Sequence, residues 1–580
     1  MKRIDDHLTQ RMFSDLDLMG PKRQKSLETS WAYFFRHFLL TNIPVQGVLQ
    51  KFSGKDGRPA KEIYAMVGAQ IIQQIFDYTT HQTLEAFQFN QLWHYALDIH
   101  DHSDASMYLC ERTLQGYRKR LLEIDVAGDI FRALTDSLLK EFHVPTELQR
   151  LDSTHLFSNM KHLVRLDLFV ETIKDFLQEV QRTHKTLLKE AFPEELVKRY
   201  LDSKNGCFSR VTGEEAKKKT LEVAKDLLQL VRIGESIKKI RQLKTFSLLK
   251  RVLEEQCLLE KKEAEEKVLL KDSKEIKSTS LQNPSDPDAT YDGHKGEGYQ
   301  AQIMETCQQG EAVAPNLITY LEVEPAHKPD TEAVHPAMEE TQERGIILET
   351  ILADTAYGSD ENVMNAKEKG VDLIAPVQGK SKKAEEMLVL RDFDIHPETN
   401  EITECQAGEK PIENRITGKG IHIATFDSDQ CSHCELSELC KVGLDPKKEI
   451  KYSDKDIRLE TRRKHEKSKE FKDVYRLRSG IEATNCNLKR NMNHGCLRVR
   501  GLNAVRFVVT LKVLGMNIMR AWRWEKKHGI LEKEVVLSLW LAITFLIQIR
   551  KRLRYWICYT VSPTGVLVYP RKNLVSLFSS

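Results

Sequence analysis

Tyr475, Arg478, Glu482 and Lys489 are spaced so that one helix could carry a carboxylate flanked by two cations and a phenol. The stretch reads YRLRSGIEATNCNLK, with no Pro and one Gly, and follows the helix-forming run KHEKSKEFKDV. At 100° per residue from Tyr475, Arg478, Glu482 and Lys489 fall at roughly 300°, 340° and 320°. Leu477, Ile481 and Leu488 fall at roughly 200°, 240° and 220°, a separate apolar stripe able to dock on a sheet. Gly480 lies on neither face and costs about 1 kcal/mol in a helix interior. Such a line can hold a metal ion and phosphates. On spacing alone it is more often a solvated helix face.

Chemistry at Glu482 needs partners, and two other acids stand where strands end. Leu148–Thr154 (LQRLDST) reads as a short strand ending in Asp152. Ile346–Ala353 reads as an apolar strand running into Asp354, followed by a tight turn at Tyr357-Gly358-Ser359, with Asp360 placed to cap the next helix. An Asp in an apolar strand is costly unless paired, hydrogen-bonded or metal-bound, although an Asp at a strand end is also common in turns. Asp286 and Asp288 are rivals for the second position, in a turn before a strand.

The spacing Tyr-x2-Arg-x3-Glu-x6-Lys resembles the signature of bacterial insertion-sequence transposases of the DDE class. LDSTHLFSNM and ADTAYGS resemble the segments that carry that family's first and second aspartates, and the likeness covers roughly residues 60–525. The resemblance implies an α/β fold, a ribonuclease-H-like catalytic core with inserted segments behind an all-helical N-terminal domain. It makes Asp152, Asp354 and Glu482 catalytic residues and Mg²⁺ ligands, with two ions expected and Mn²⁺ able to substitute. Tyr475, Arg478 and Lys489 would contact DNA. The implied function is binding of an element's terminal inverted repeats, metal-dependent cleavage of its ends and their joining to target DNA. Double-stranded DNA and a second copy of the chain, assembled on DNA, are the implied partners, in the bacterial cytoplasm at the nucleoid, with no membrane. A triad-bearing nuclease that cuts without joining, and a domesticated DNA-binding protein without transposition activity, are the alternatives.

Chemistry and composition agree with that expectation. Three carboxylates held close repel unless a cation sits between them, and hard oxygen donors suit Mg²⁺. Two such ions can bind the attacking and leaving oxygens of a displacement at phosphorus. The net charge of the 580-residue chain is only +3, so affinity for a polyanion would come from local patches. Met1–Gln10 lacks an apolar core, so no secretory signal is expected. The longest apolar run, Val535–Ile549, is too short to span a bilayer and reads as a buried helix.

The chain divides, on this reading, into a helical DNA-binding domain (1–140), a catalytic core (145–160, 284–380 and 456–525), a helical insertion (161–283), a cysteine-containing insertion (381–455) and a helical tail (526–580). Ser30–Leu40, Glu62–Phe76, Thr83–Tyr95 and Thr113–Glu123 are the expected N-terminal helices. Glu214–Lys277, rich in Lys, Glu and Leu, reads as long helices in a structural or dimerising element. Cys405, Cys431, Cys434 and Cys440, spaced Cys-x25-Cys-x2-Cys-x5-Cys, could share a structural Zn²⁺ or be simple reduced thiols.

Overall fold

A computed structural model describes residues 3–7, 19–52, 60–202, 213–262, 265–379 and 387–529. The chain forms two compact units, Met1–Arg520 and Ala521–Ser580. Only 521–529 of the second are described, so Val535–Ile549 and nearly all of the expected tail lie outside the described residues.

The N-terminal region is helical, with breaks where side chains cap the backbone. Helix Ile63–Ile75 starts at Glu62, whose Oε2 accepts from the Ala65 amide at 2.6 Å. The expected Thr83–Tyr95 helix is two helices, Thr80–Phe89 and Gln91–Ala96. Asn90 separates them because its Oδ1 accepts from the Leu92 amide at 2.9 Å, capping the second. Helices Glu111–Glu123 and Val126–Glu141 complete the region.

A six-stranded mixed sheet follows. It is built from β1 (Leu148–Phe157), β4 (Thr290–Asp292), β5 (Gly296–Thr306), β6 (Ile318–Pro325), β7 (Thr350–Ala353) and β8 (Asp372–Ile374), while β2 (Cys257–Lys262) and β3 (Glu265–Leu270) form a separate hairpin. β1 is central, antiparallel to β5 and parallel to β7, and β7 is parallel to β8. β6 and β4 pair with the other side of β5. One face packs on helices Val334–Glu343 and Asp360–Glu368 through Leu151, Met304, Ile351, Ala337 and Met338. Ile318 on the outer strand has its backbone N–H and C=O paired with the Asn517 amide at 2.8 Å each. The long helix Leu502–His528 thereby covers part of that strand's backbone, which would otherwise be open to edge pairing.

The insertion after β1 has its own core. Helices Arg165–Thr183, Gly213–Ser236 and Lys244–Gln256 bury Phe169, Phe176, Leu227 and Leu249 together. Its last part departs from the helical expectation: Cys257–Lys262 and Glu265–Leu270 pair as the antiparallel strands β2 and β3. The cysteine-containing insertion carries a three-stranded antiparallel sheet over an apolar cluster of Phe393, Ile402, Phe426 and Tyr452.

The opposite face of the sheet receives the helix that bears Glu482. Alternation puts Arg150 and Asp152 on this face, away from Leu151. Arg150 stands opposite Glu305 of β5 and pairs with it at 2.7 Å. Glu305 is fully buried and also takes Thr484 Oγ1 at 2.7 Å and Arg520 Nη1 at 2.8 Å. Replacing it with Gln should leave two arginines facing a neutral amide, at a cost of about 3 kcal/mol. The urea midpoint of Glu305→Gln is therefore expected to fall clearly, and an unchanged midpoint would show that both cations are satisfied elsewhere.

Candidate active site

The register of the parallel strands brings the two aspartates together. Leu151 stands level with Ala353, so Asp152 and Asp354, the next residue on each chain, leave neighbouring strands side by side. Asp152 does not end its strand as expected; β1 runs on to Phe157. Asp354 follows β7, and its Oδ1 accepts from the Thr355 amide at 2.6 Å, starting the turn Thr355–Tyr357. Gly358 is required beyond that turn, because a Cβ there would meet the Pro376 carbonyl oxygen at 2.3 Å. Ser359, and not Asp360, caps the next helix; Asp360 instead pairs with Arg458 at 2.7 Å. Arg462 donates to the Gly358 and Ala375 carbonyls at 3.0 Å each and ties down the same turn.

Glu482 arrives on a broken helix. The expected single helix through Tyr475–Lys489 is α-helix Lys469–Tyr475, a 3₁₀ segment Arg476–Gly480, and α-helix Ile481–Arg490. Two contacts account for the break. Arg150 Nη1 donates to the Leu477 carbonyl at 2.8 Å, taking an acceptor out of the helical ladder. A Cβ on Gly480 would meet the same Nη1 at 1.9 Å, so only glycine admits the arginine.

Arg478 lies among the three acids. Its Nη2 is 3.2 Å from Asp152 and 3.7 Å from Asp354, and its Nη1 is 3.1 Å from Glu482. Burial lowers the Arg478 pKa, but Asp152 and Asp354 outweigh it and hold the group above its ordinary value. Burial also pushes the Asp152 carboxyl up to about 6, against the pull of Arg478 and the Ser153 amide and with added repulsion from Glu482 and Asp354. Asn485 Nδ2 donates to Asp152 Oδ2 at 3.1 Å. Tyr475 stacks on Phe471 at 5.3 Å, and its pKa is raised, by burial first and by Asp354 and Asp152 after it.

Lys489 is not brought to this cluster. It lies two turns beyond Glu482, roughly 10 Å along the helix axis, near His155 of β1. Among the described residues it makes no ion pair. Glu482 and Lys489 share one unbroken helix and one face of it, so the separation is along the axis and not around it.

The rival acids have structural work. Asp286 accepts from Tyr299 Oη at 2.7 Å and the Gly501 amide at 2.9 Å, and Asp288 accepts from the Leu502 amide at 2.9 Å. The cations beyond Lys489 are also largely committed: Arg498 pairs with Asp77 at 2.8 Å and Arg506 donates to the Val323 carbonyl at 2.8 Å. On helix Glu111–Glu123, Arg118 donates to Gln73 at 2.8 Å, and Arg120 lies over the Phe52 ring at 4.9 Å.

The donor set at the aspartate pair fits a divalent metal: three hard carboxylates, one buried with its carboxyl held up by desolvation and by its acidic neighbours. As placed, the carboxylates are spread round the guanidinium. Among the described residues no group of three or more His, Cys, Asp or Glu stands close enough to hold a metal ion. That statement also covers the cysteines. Cys405, Cys431, Cys434 and Cys440 do line one cavity of about 30 Å³, and the Cys431 thiol is pushed up by burial and by the other three. The expectation of a structural Zn²⁺ is nevertheless not supported. The thiols sit beside an apolar cluster that supplies the insertion with a core of its own.

Sequence reasoning missed Arg150, Glu305 and Asn485. Asn485 had a signal: at roughly 280° on the helical wheel it lies between the apolar stripe and the acidic arc. Arg150 and Glu305 had none, since only strand register sets them opposite each other.

These features define a carboxylate cluster on two neighbouring parallel strands, bridged by an arginine and completed by a helix. Residues 404–522, roughly a fifth of the chain and including Glu482, match the family model described as a transposase DDE domain, which supports a DDE transposase family. No curated protein and no solved structure matches the chain significantly.

A pH dependence follows for metal-free protein. Asp152 titrates near 6 folded against an ordinary 3.8, so the folded state binds its proton more tightly. The resulting stability is full below about pH 4 and lost as pH rises through 6, about 3 kcal/mol in all. Asp152→Asn should remove that loss. In EDTA it should unfold at a higher temperature than wild type at pH 8, with the gap closing towards pH 4. Equal melting at pH 8 would show that Arg478 already compensates the carboxylate.

Proposed function

We propose that the chain is a DDE transposase. It binds the terminal inverted repeats of its element, cleaves the ends by metal-dependent phosphodiester hydrolysis and joins them to target DNA. The observation that carries this reading is the convergence of Asp152, Asp354 and Glu482 on one guanidinium from three distant segments. The match to a transposase DDE domain is independent support. The strand order β6–β5–β1–β7–β8, in which β5 alone runs against the other four, supports a ribonuclease-H-like core.

Asp152, Asp354 and Glu482 would hold Mg²⁺, or Mn²⁺ in its place, two ions being expected. When bound, the metal supplies Lewis-acid activation of the attacking hydroxyl and charge neutralisation at phosphorus. Asn485, bonded to Asp152 Oδ2, fixes one carboxylate rotamer. Tyr475 and Arg478, beside the acids, would meet the phosphate backbone and position the scissile bond without reading sequence. Lys489, two turns away, would reach a phosphate farther along the strand. No nucleophile from the protein is required, because water or a DNA 3′-hydroxyl attacks. Two copies would assemble on paired element ends, in the cytoplasm where the DNA lies.

Asp152→Asn, Asp354→Asn and Glu482→Gln should each cut end cleavage by more than roughly 100-fold while leaving end binding intact, since each removes a metal-binding charge and little volume. The substrate is a duplex carrying the inverted repeat read from the DNA flanking the gene. Near-wild-type cutting by any one variant would remove that residue from the site. Pre-cut ends offered with a supercoiled plasmid separate a transposase from a nuclease, because only the former inserts them.

A further inference from the structure

We propose that Arg478 stands in the metal's place among the three carboxylates and must swing aside before a divalent cation can bind. This rests on the reading of Asp152, Asp354 and Glu482 as metal ligands. Three observations carry it. The two terminal nitrogens of one guanidinium reach all three acids, at 3.2, 3.7 and 3.1 Å. Its Nε is buried without a hydrogen-bond partner. The side chain leaves the 3₁₀ segment Arg476–Gly480, outside both flanking α-helices.

The Nε shows what sets the arginine's position. A guanidinium placed for its own hydrogen bonding would use all five donors. This one leaves a donor unsatisfied so that its terminal nitrogens can span the acids. It acts as an internal counter-cation, keeping three like charges from driving one another apart. One positive charge against three negative ones is incomplete compensation, and a dication compensates better. The two cannot share the same oxygens, since they repel at contact distance. Arg478 is therefore a positioning residue with two stations. Between loadings it holds the acids in place, and on loading it releases them. The released guanidinium is then beside the metal, where a phosphate would lie.

The gate is tested without DNA, by titrating the full-length protein with Mn²⁺ and following free Mn²⁺ by electron paramagnetic resonance. If the metal-competent arrangement is about a tenth of the population, removing the guanidinium should tighten binding about tenfold. Arg478→Gln is expected to show that gain. Arg478→Lys should fall between wild type and the Gln variant, because a compact ammonium cannot span three carboxylates. Arg476→Gln removes the same charge from an exposed neighbour and should stay within about twofold of wild type, as a screened surface charge does. Equal or weaker binding by Arg478→Gln, or an equal gain in Arg476→Gln, would overturn the gate. Should the Gln variant fail to fold, the Lys variant decides: a gain supports the gate and no gain overturns it. Asp152→Asn separates this outcome from failure of the parent reading. If Mn²⁺ binding survives that change undiminished, the triad is not the metal site at all.

Discussion

The Glu305 carboxylate is the contact on which the site depends. It is fully buried on β5, and three separate elements close on it: Arg150 of β1, Thr484 of the Glu482 helix and Arg520 of the long helix. A buried charge left alone would be expensive, so the elements that satisfy it cannot drift apart cheaply. Arg150 passes the constraint onward, since the guanidinium that pairs with Glu305 also holds the Leu477 carbonyl. That bond breaks the helix one turn before Glu482 and aims the glutamate at the aspartates. One buried carboxylate thus orients three others on the same face of the sheet.

Two carboxylate environments lie within one helix–sheet contact. Glu305 meets two arginines and a hydroxyl and is fully compensated. The acids above share a single arginine, and one of them, Asp152, is desolvated enough to hold its proton to about pH 6. The first arrangement is finished as it stands. The second is short of positive charge, which is the condition for capturing a cation from solution.

The site was legible in the sequence to the extent that its residues sit in local patterns. Strand-then-turn composition marked Asp354, and its local segment marked Asp152, although β1 outruns the expected strand. The helical wheel put Glu482 and Arg478 on one arc, and the family resemblance gave that arc a role; they lie one turn apart, where a local break changes little. Lys489, seven residues on, keeps the face of Glu482 but stands two turns farther along the axis, a separation that a helical wheel does not display. The break was not legible because its cause, Arg150, is more than three hundred positions away. The β2–β3 hairpin was missed for a related reason: its Lys, Glu and Leu favour helix, and strand pairing overrode the propensity. The cysteine spacing left a structural metal and simple thiols both open, and the geometry of the described residues does not support the metal.

The insertions follow from the same topology. β1, β7 and β8 are parallel, and β7 ends level with Leu151, so Asp152 in the middle of β1 and Asp354 just beyond β7 lie side by side. The first insertion leaves from the end of β1 and the second follows β8. Each has its own apolar core, one on Phe176 and Leu227, the other on Ile402 and Tyr452. An insertion that folds by itself burdens its host only with loop closure, which grows slowly with length. The central sheet can therefore be interrupted twice and still close its register. The first begins only after β1 has run five residues past Asp152, and the second only after β8 is in place, so neither separates the paired strand segments. Additions to the core accumulate beside the chemistry without disturbing the Glu305 contact that holds it in place.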